Sequence, residues 1–139
     1  MKLTVTRKRA NQLIKPGDMR ALMRGDTQAT LRFLPMFLID GGDYATLEAG
    51  RAHIGNISLR DFGELAERFR NELAVTSSER QGLEMAYKKG TATAPGWLTV
   101  LNAAKDWGMP PWEIAQDNQR ELWFRRYRIV KQIETKASK

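Results

Sequence analysis

Apolar positions recur at helical spacing through most of this chain. Met19, Leu22 and Met23 follow the break at Pro16-Gly17-Asp18 at i, i+3 and i+4, predicting a two-turn helix with Asp18 as N-cap and Gly25 just past its end. Asp26 caps the next segment, in which Leu31, Leu34 and Leu38 fall on one stripe with Phe33 and Phe37 beside them. This is the most apolar helix of the set, kinked or restarted at Pro35, because an interior proline costs about 3 kcal/mol. Residues 40–56 hold four glycines and no sustained period, and read as a loop with one helical turn at 44–49. At Ile57-Ser58-Leu59-Arg60-Asp61-Phe62, Ser58 is placed to cap, Asp61 stands at N3, and Ile57 and Phe62 occupy the staple positions. Phe62, Leu65, Ala66, Phe69 and Leu73 then continue the stripe.

The second half reads the same way. Ser78 and Gln81 suit a capped helix through Tyr87, with Lys88-Lys89 in its last turn and Gly90 beyond. Thr91 to Gly96 is the most linker-like stretch. Trp97, Val100, Leu101 and Ala104 form another stripe, ended by Gly108 and Pro110-Pro111, and Pro111 suits N1 of a short turn, Trp112 to Gln116. Asn118 and Glu121 then suit the start of a last helix, with Leu122, Trp123, Tyr127, Val130 and Ile133 on one broad face and Arg125, Arg128, Lys131 and Lys136 on the other. Ala137 to Lys139 should fray. Leu3 and Val5 alternate with polar neighbours, suiting a short N-terminal strand or extended arm. The expected fold is mainly α: a compact bundle of about five to seven short helices. Its expected divisions are a helical domain over 1–90 with a basic arm, a linker at 91–96, and a tryptophan-rich segment over 97–139.

Composition narrows the class. A chain of 139 residues can bury one ordinary core, its 42% apolar content argues against wholesale disorder, and its longest apolar run, Phe33 to Ile39, is far too short to span a bilayer. There is no cysteine and no secretory h-region at the start, which points to an intracellular setting. The net charge of +7 suggests a nucleic-acid binder until it is divided along the chain. Residues 1–25 carry seven Lys/Arg against one acid, residues 26–117 nine against thirteen, and residues 118–139 seven against two. The body is mildly acidic and the excess sits at two basic ends.

Catalytic chemistry is poorly supplied. His53 is the only imidazole, and no G-x-S-x-G elbow holds a serine for it. Asp40, Asp43 and Glu48 lack calcium-loop spacing, and Gly50 to Gly55 lacks the lysine of a phosphate loop, so neither a metal nor a cofactor is implied. Ala104 to Ile114 has the spacing of a helix-turn-helix, but its reading helix would present Pro111, Trp112, Glu113 and Gln116, with acids and no Lys or Arg facing the phosphates. A plainer nucleic-acid reading uses the last helix as a clamp, with Arg125, Arg128 and Lys131 as candidate contacts and Trp123 or Tyr127 to stack on bases. Four tryptophans within 27 residues, beside a basic amphipathic helix, suit a small aromatic core and also a protein-binding surface.

Pro16 to Asp26 and Ile57 to Leu65 resemble segments of small helical tail proteins of tailed bacteriophages. Ala104-Lys105-Asp106-Trp107-Gly108-Met109-Pro110-Pro111-Trp112-Glu113-Ile114 is similar to a pattern in the C-terminal parts of tail assembly chaperones. These segments cover about half the chain. The resemblance implies a viral protein that is not an enzyme. It would be an assembly chaperone that binds the tape measure protein in the host bacterial cytoplasm until tail-tube subunits polymerise around it, with the tail tube protein as the other expected partner, and that also binds other copies of itself. Such chaperones are often made in a short and a frameshift-extended form, whereas this is one continuous chain. On that reading Trp112, Trp123, Tyr127, Arg125 and Arg128 are the expected partner contacts, and the basic ends would meet the acidic body of a neighbouring copy. A small basic DNA- or RNA-binding protein and a structural component of the virion are the alternatives.

Overall fold

The computed structural model describes residues 1–90 and 94–138. The chain is mainly helical, with nine α-helices and one three-stranded antiparallel sheet among those residues, more and shorter helices than the stripes alone suggest. Backbone packing separates two units, Met1–Leu73 and Ala74–Lys139. Of the linker read at 91–96, residues 91–93 lie outside the described residues, as does Lys139.

The first unit opens with β1 (Lys2–Leu3), which pairs with β2 (Leu38–Asp40) through Lys2–Ile39 and Leu3–Leu38. Strand β2 turns back into β3 (Asp43–Tyr44) through Gly41 and Gly42, whose φ values of 64° and 96° are those a two-residue hairpin turn requires. The basic start is not a loose arm. Leu3 and Val5 are buried, and residues 7–13 form helix α1 (Arg7–Leu13), capped where Thr6 Oγ1 accepts from the Arg9 N–H at 3.1 Å. Arg9 ties that helix down: its Nε donates to the Met36 carbonyl at 2.9 Å and its guanidinium lies 3.7 Å from the Tyr44 ring centre.

Helix α2 (Pro16–Met23) starts at the proline itself, with Lys15 as N-cap and Asp18 inside its first turn, so Asp18 serves the helix dipole rather than the cap. Asp26 does cap α3 (Thr27–Phe33), accepting from the Ala29 N–H at 2.9 Å. The expected long apolar helix stops there. Pro35 sits in a 3-10 turn (Leu34–Phe37), and Leu38 leaves the helical stripe to pair with Leu3 in the sheet. Phe37 instead meets Phe69 at 5.1 Å between ring centres, and both are fully buried. The expected loop at 40–56 is largely ordered as the hairpin and helix α4 (Leu47–Gly55), capped by Thr46. Gly50 faces Pro35 so closely that an added Cβ would stand 2.6 Å from the proline carbonyl oxygen. Helix α5 (Leu59–Ala74) begins as expected, with Ser58 Oγ accepting from the Asp61 N–H at 3.1 Å, and it buries Ala66, Phe69 and Leu73.

The second unit starts with α6 (Ser77–Lys89), two residues before the expected start. Its cap is Thr76, because Glu79 completes a capping box that Ser78 and Gln81 do not: Thr76 Oγ1 accepts from the Glu79 N–H at 3.2 Å while Glu79 Oε1 accepts from the Thr76 N–H at 3.0 Å. Gly90 ends it in the left-handed conformation. Helices α7 (Trp97–Trp107), α8 (Pro111–Ala115) and α9 (Arg120–Ala137) follow, with α6 packing on α9 and α8 joining α7 to α9. The last helix stays wound through Ala137, where Ser138 Oγ donates to the Glu134 carbonyl at 3.0 Å.

Tyr87 of α6 has its phenol pushed above the ordinary value, first by burial and then by the Glu134 carboxylate of α9. Above about pH 10 the unfolded chain therefore surrenders this proton before the folded one does, and stability falls as pH rises through the raised value. Melting temperature is expected to drop more steeply from pH 9.5 to 11 in the native chain than in Tyr87→Phe. Parallel pH profiles would remove Tyr87 as the cause.

Candidate functional site

The candidate site is helix α9 and the turn that leads into it. Helix α7 ends at Gly108 (φ 64°), and the Met109 N–H returns to the Ala104 carbonyl at 3.1 Å. After the single turn of α8 the chain passes through two left-handed residues that are not glycine, Gln116 and Asn118, both at φ 55°. Asn118 therefore turns the chain and does not cap α9. No side chain caps α9, whose N-cap is Gln119; Asp117, held between the two left-handed residues, instead ties the turn to the helix, its Oδ1 accepting from the Gln119 N–H at 3.0 Å and its carboxylate from the Trp123 indole N–H at 2.8 Å.

The inner side of α9 is built around a buried cation. Arg126 is 7% exposed, donates through Nε to the Ala74 carbonyl at 3.0 Å, and holds its guanidinium 4.7 Å from the Trp97 ring centre and 4.8 Å from that of Trp123. The Trp97 indole N–H donates to Glu79 Oε2 at 2.9 Å, so the carboxylate that completes the α6 cap also fixes one wall of the clamp. A guanidinium suits this position because its flat face stacks on indoles while its edge still donates. Leu122, Ile129, Val130 and Ile133 complete the buried stripe.

The sequence places both Trp123 and Tyr127 on the broad apolar face of the helix and names both as expected partner contacts; the structure separates them. Trp123 is 3% exposed and packed against Arg126, so it has no surface to offer a partner, whereas Tyr127 is 51% exposed. The true stripe passes through Leu122, Arg126, Ile129 and Ile133, which turns position 127 outward. Of the other named residues, Trp112 is half-buried, Arg128 and Lys131 are exposed, and Arg125 is half-buried. Phe124, not singled out from the sequence, is 55% exposed and meets Trp112 at 5.3 Å between ring centres, tilted by 56°. Arg120, also missed, places its guanidinium 5.3 Å from the Trp112 ring centre, and Lys131 Nζ lies 5.9 Å from that of Tyr127. Positions 120, 124, 127, 128 and 131 share the outer face of α9 by helical spacing. They form an aromatic strip with cations along it.

Such a strip can cover apolar side chains of a partner while its cations meet carboxylates. It is poorly arranged for stacking bases, because Trp112 already packs on Phe124 and lies beside Arg120. Helix α8 is a five-residue turn with Glu113 exposed, too short to serve as a reading helix in a major groove. Elsewhere, His53 lies half-buried in the last turn of α4, and among the described residues no three His, Cys, Asp or Glu side chains gather as a metal site. Among the described residues, no helix is long and apolar enough to cross a membrane. Comparison with known protein families, known proteins and solved structures gives no match.

Proposed function

We propose that this chain is a non-catalytic binding protein of phage tail assembly, a chaperone that holds the tape measure protein through the outer face of α9 and associates with further copies of itself. The observation that carries this reading is the aromatic strip of Trp112, Phe124 and Tyr127, with two of its rings more than half exposed and Arg120, Arg128 and Lys131 along it. Exposed aromatic and arginine side chains grouped on one face are what protein interfaces use as anchors. A long helical partner with apolar stripes needs such a face to cover it before its final neighbours arrive.

The test is co-expression with the tape measure protein of the same virus. The native chain is expected to raise the soluble fraction of that protein and to co-purify with it. Phe124→Ser/Tyr127→Ser should abolish both while the chain still unfolds in one cooperative transition, lowered only by the lost Trp112–Phe124 contact, since both rings are more than half exposed. Retention of the partner by the double variant would overturn the proposal. A second reading, nucleic-acid binding through Arg125, Arg128 and Lys131, is favoured by the exposure of Arg128 and Lys131 alone, and predicts affinity that collapses with salt whether or not Phe124 and Tyr127 are present.

A further inference from the structure

Helix α9 carries a narrow seam within its outer face. Arg120, Phe124, Tyr127 and Lys131 follow one another at steps of four, three and four residues, so they return to nearly the same side of the helix over about three turns, about 16 Å from end to end. The order along that line is cation, ring, ring, cation. Both rings are more than half exposed, and both end residues are exposed. Each cation also rests against an aromatic group, the Arg120 guanidinium 5.3 Å from the Trp112 ring centre and Lys131 Nζ 5.9 Å from that of Tyr127. Such contacts hold a long side chain in place before a partner arrives and lower the ordering cost of using it. Glu121 and Arg128 stand along one flank and offset each other, so the charge of the seam sits at its two ends.

That order decides what can lie on the seam. A second copy laid on the same face brings rings onto rings but sets cation against cation at both ends, Arg120 on Arg120 and Lys131 on Lys131 when parallel, Arg120 on Lys131 when antiparallel. The net charge of +7 on each chain adds to the repulsion. A single small anion fits no better, because the end cations stand about three turns apart with rings between them. A nucleic-acid strand carries a phosphate at every nucleotide and would spread its charge over Phe124 and Tyr127 as well as over the ends. A helix with two apolar side chains and one carboxylate beyond each of them satisfies all four positions. We infer that the seam takes a partner helix of the pattern acid, three residues, apolar, two residues, apolar, three residues, acid. Its apolar pair covers Phe124 and Tyr127, and its carboxylates meet Arg120 and Lys131. This rests on the outer face of α9 being a protein-docking surface; it names the segment of the partner that docks there and sends contacts between copies to another face. The spacing reads the same from either end, so the partner helix docks in either direction.

The test titrates the full chain into three dye-labelled peptides stapled into helices. One has leucines at the two central positions of the pattern and glutamates at its two ends, one has lysines in place of the glutamates, and one has the glutamates moved by two residues, onto the opposite side of the helix. Fluorescence anisotropy is expected to show the first peptide binding at least tenfold more tightly than either of the others at 50 mM salt, with most of that difference gone at 500 mM. Arg120→Glu/Lys131→Glu should reverse the order of the glutamate and lysine peptides, and Arg120→Gln/Lys131→Gln should bring them level. A glutamate preference that survives the charge reversal overturns the inference, as does equal binding of all three peptides by the native chain. If that equal binding is lost in Phe124→Ser/Tyr127→Ser, the docking face itself stands. Binding of none of the peptides also overturns the inference, and co-purification with the tape measure protein then decides whether the docking face falls with it. Light scattering is expected to give the native chain and Phe124→Ser/Tyr127→Ser the same mass; a smaller species from the double variant would put a second copy on the seam and overturn the inference. Tighter binding of a 20-residue oligothymidine than of the glutamate peptide, lost in Arg120→Glu/Lys131→Glu, would assign the seam to nucleic acid with the same result.

Discussion

Replacing Arg126 with alanine is expected to destabilise the second unit by about 3–5 kcal/mol, the sum of a lost charge-assisted hydrogen bond, two lost cation–ring contacts and the cavity left behind. The donor at 3.0 Å from the Ala74 carbonyl disappears, and Trp97 and Trp123 lose the flat group packed against both of them. Arg126→Lys keeps the charge but loses the planar face, so it should recover less than half of the loss. Arg126→Met tests the opposite compromise, filling the slot without the charge, and should fall between lysine and the native chain if packing dominates. All four tryptophans lie in the second unit, which makes indole emission during denaturant unfolding a direct readout of it. A loss below 1 kcal/mol in Arg126→Ala would show that the indoles hold one another without the guanidinium between them.

The second large effect is expected in the first unit, at Gly50. A Cβ there would stand 2.6 Å from the Pro35 carbonyl oxygen and 3.1 Å from its Cβ, so α4 and the 3-10 turn must move apart to admit it. Backbone on both sides leaves no flexible side chain to yield. Overpacking of this kind costs roughly 1–3 kcal/mol, and the gain of about 1 kcal/mol in helix propensity does not cover its upper range. Gly50→Val, which adds two methyl groups to the same space, should prevent the unit from closing. Gly63, exposed in the middle of α5 with nothing near its missing Cβ, is the matched control. Gly63→Ala is expected to stabilise by about 0.5–1 kcal/mol from propensity alone. Hydrogen exchange at the amides of α4 would separate the two: faster in Gly50→Ala, unchanged in Gly63→Ala.

Sequence reading succeeded at several helix ends that a local rule decides, though Asp18, Ser78 and Asn118 do not serve as the caps that the same rule suggests. Ser58 with Asp61, Asp26 before Thr27, and the glycines at 25, 90 and 108 each act within one turn of chain, and the structure places helix ends at all of them. It failed where a distant partner decides. Leu38 fits a helical stripe by spacing, but Leu3 lies across from it and draws it into a sheet. The Gly41-Gly42 pair is a hairpin signal, yet strands of three and two residues are too short to show a period of two. Arg126 interrupts an otherwise apolar stripe, so counting hydrophobic letters steps over it. Its environment comes from Ala74, Trp97 and Trp123, which only the folded chain brings together. The same omission draws Tyr127 into the apolar face and leaves Phe124 unnoticed, whereas Trp123, placed on that face, is buried there.

The bond from Arg126 to Ala74 spans 52 residues, and this sets a timetable. During synthesis, α6 and α7 leave the ribosome with Trp97 and the neighbouring apolar side chains uncovered, because the residue that clamps them is not yet made. Closing a loop of that length carries an entropic cost that local helices do not offset until α9 arrives to pack against α6. The first unit waits less long, since β1 finds its partner as soon as Leu38 and Ile39 emerge. The two halves therefore mature in sequence, and the later one completes only when nearly the whole of α9 is free to fold back. A nascent chain stalled before Arg126 would carry a finished first unit and an open, sticky second one, the period in which it is most exposed to aggregation and proteolysis.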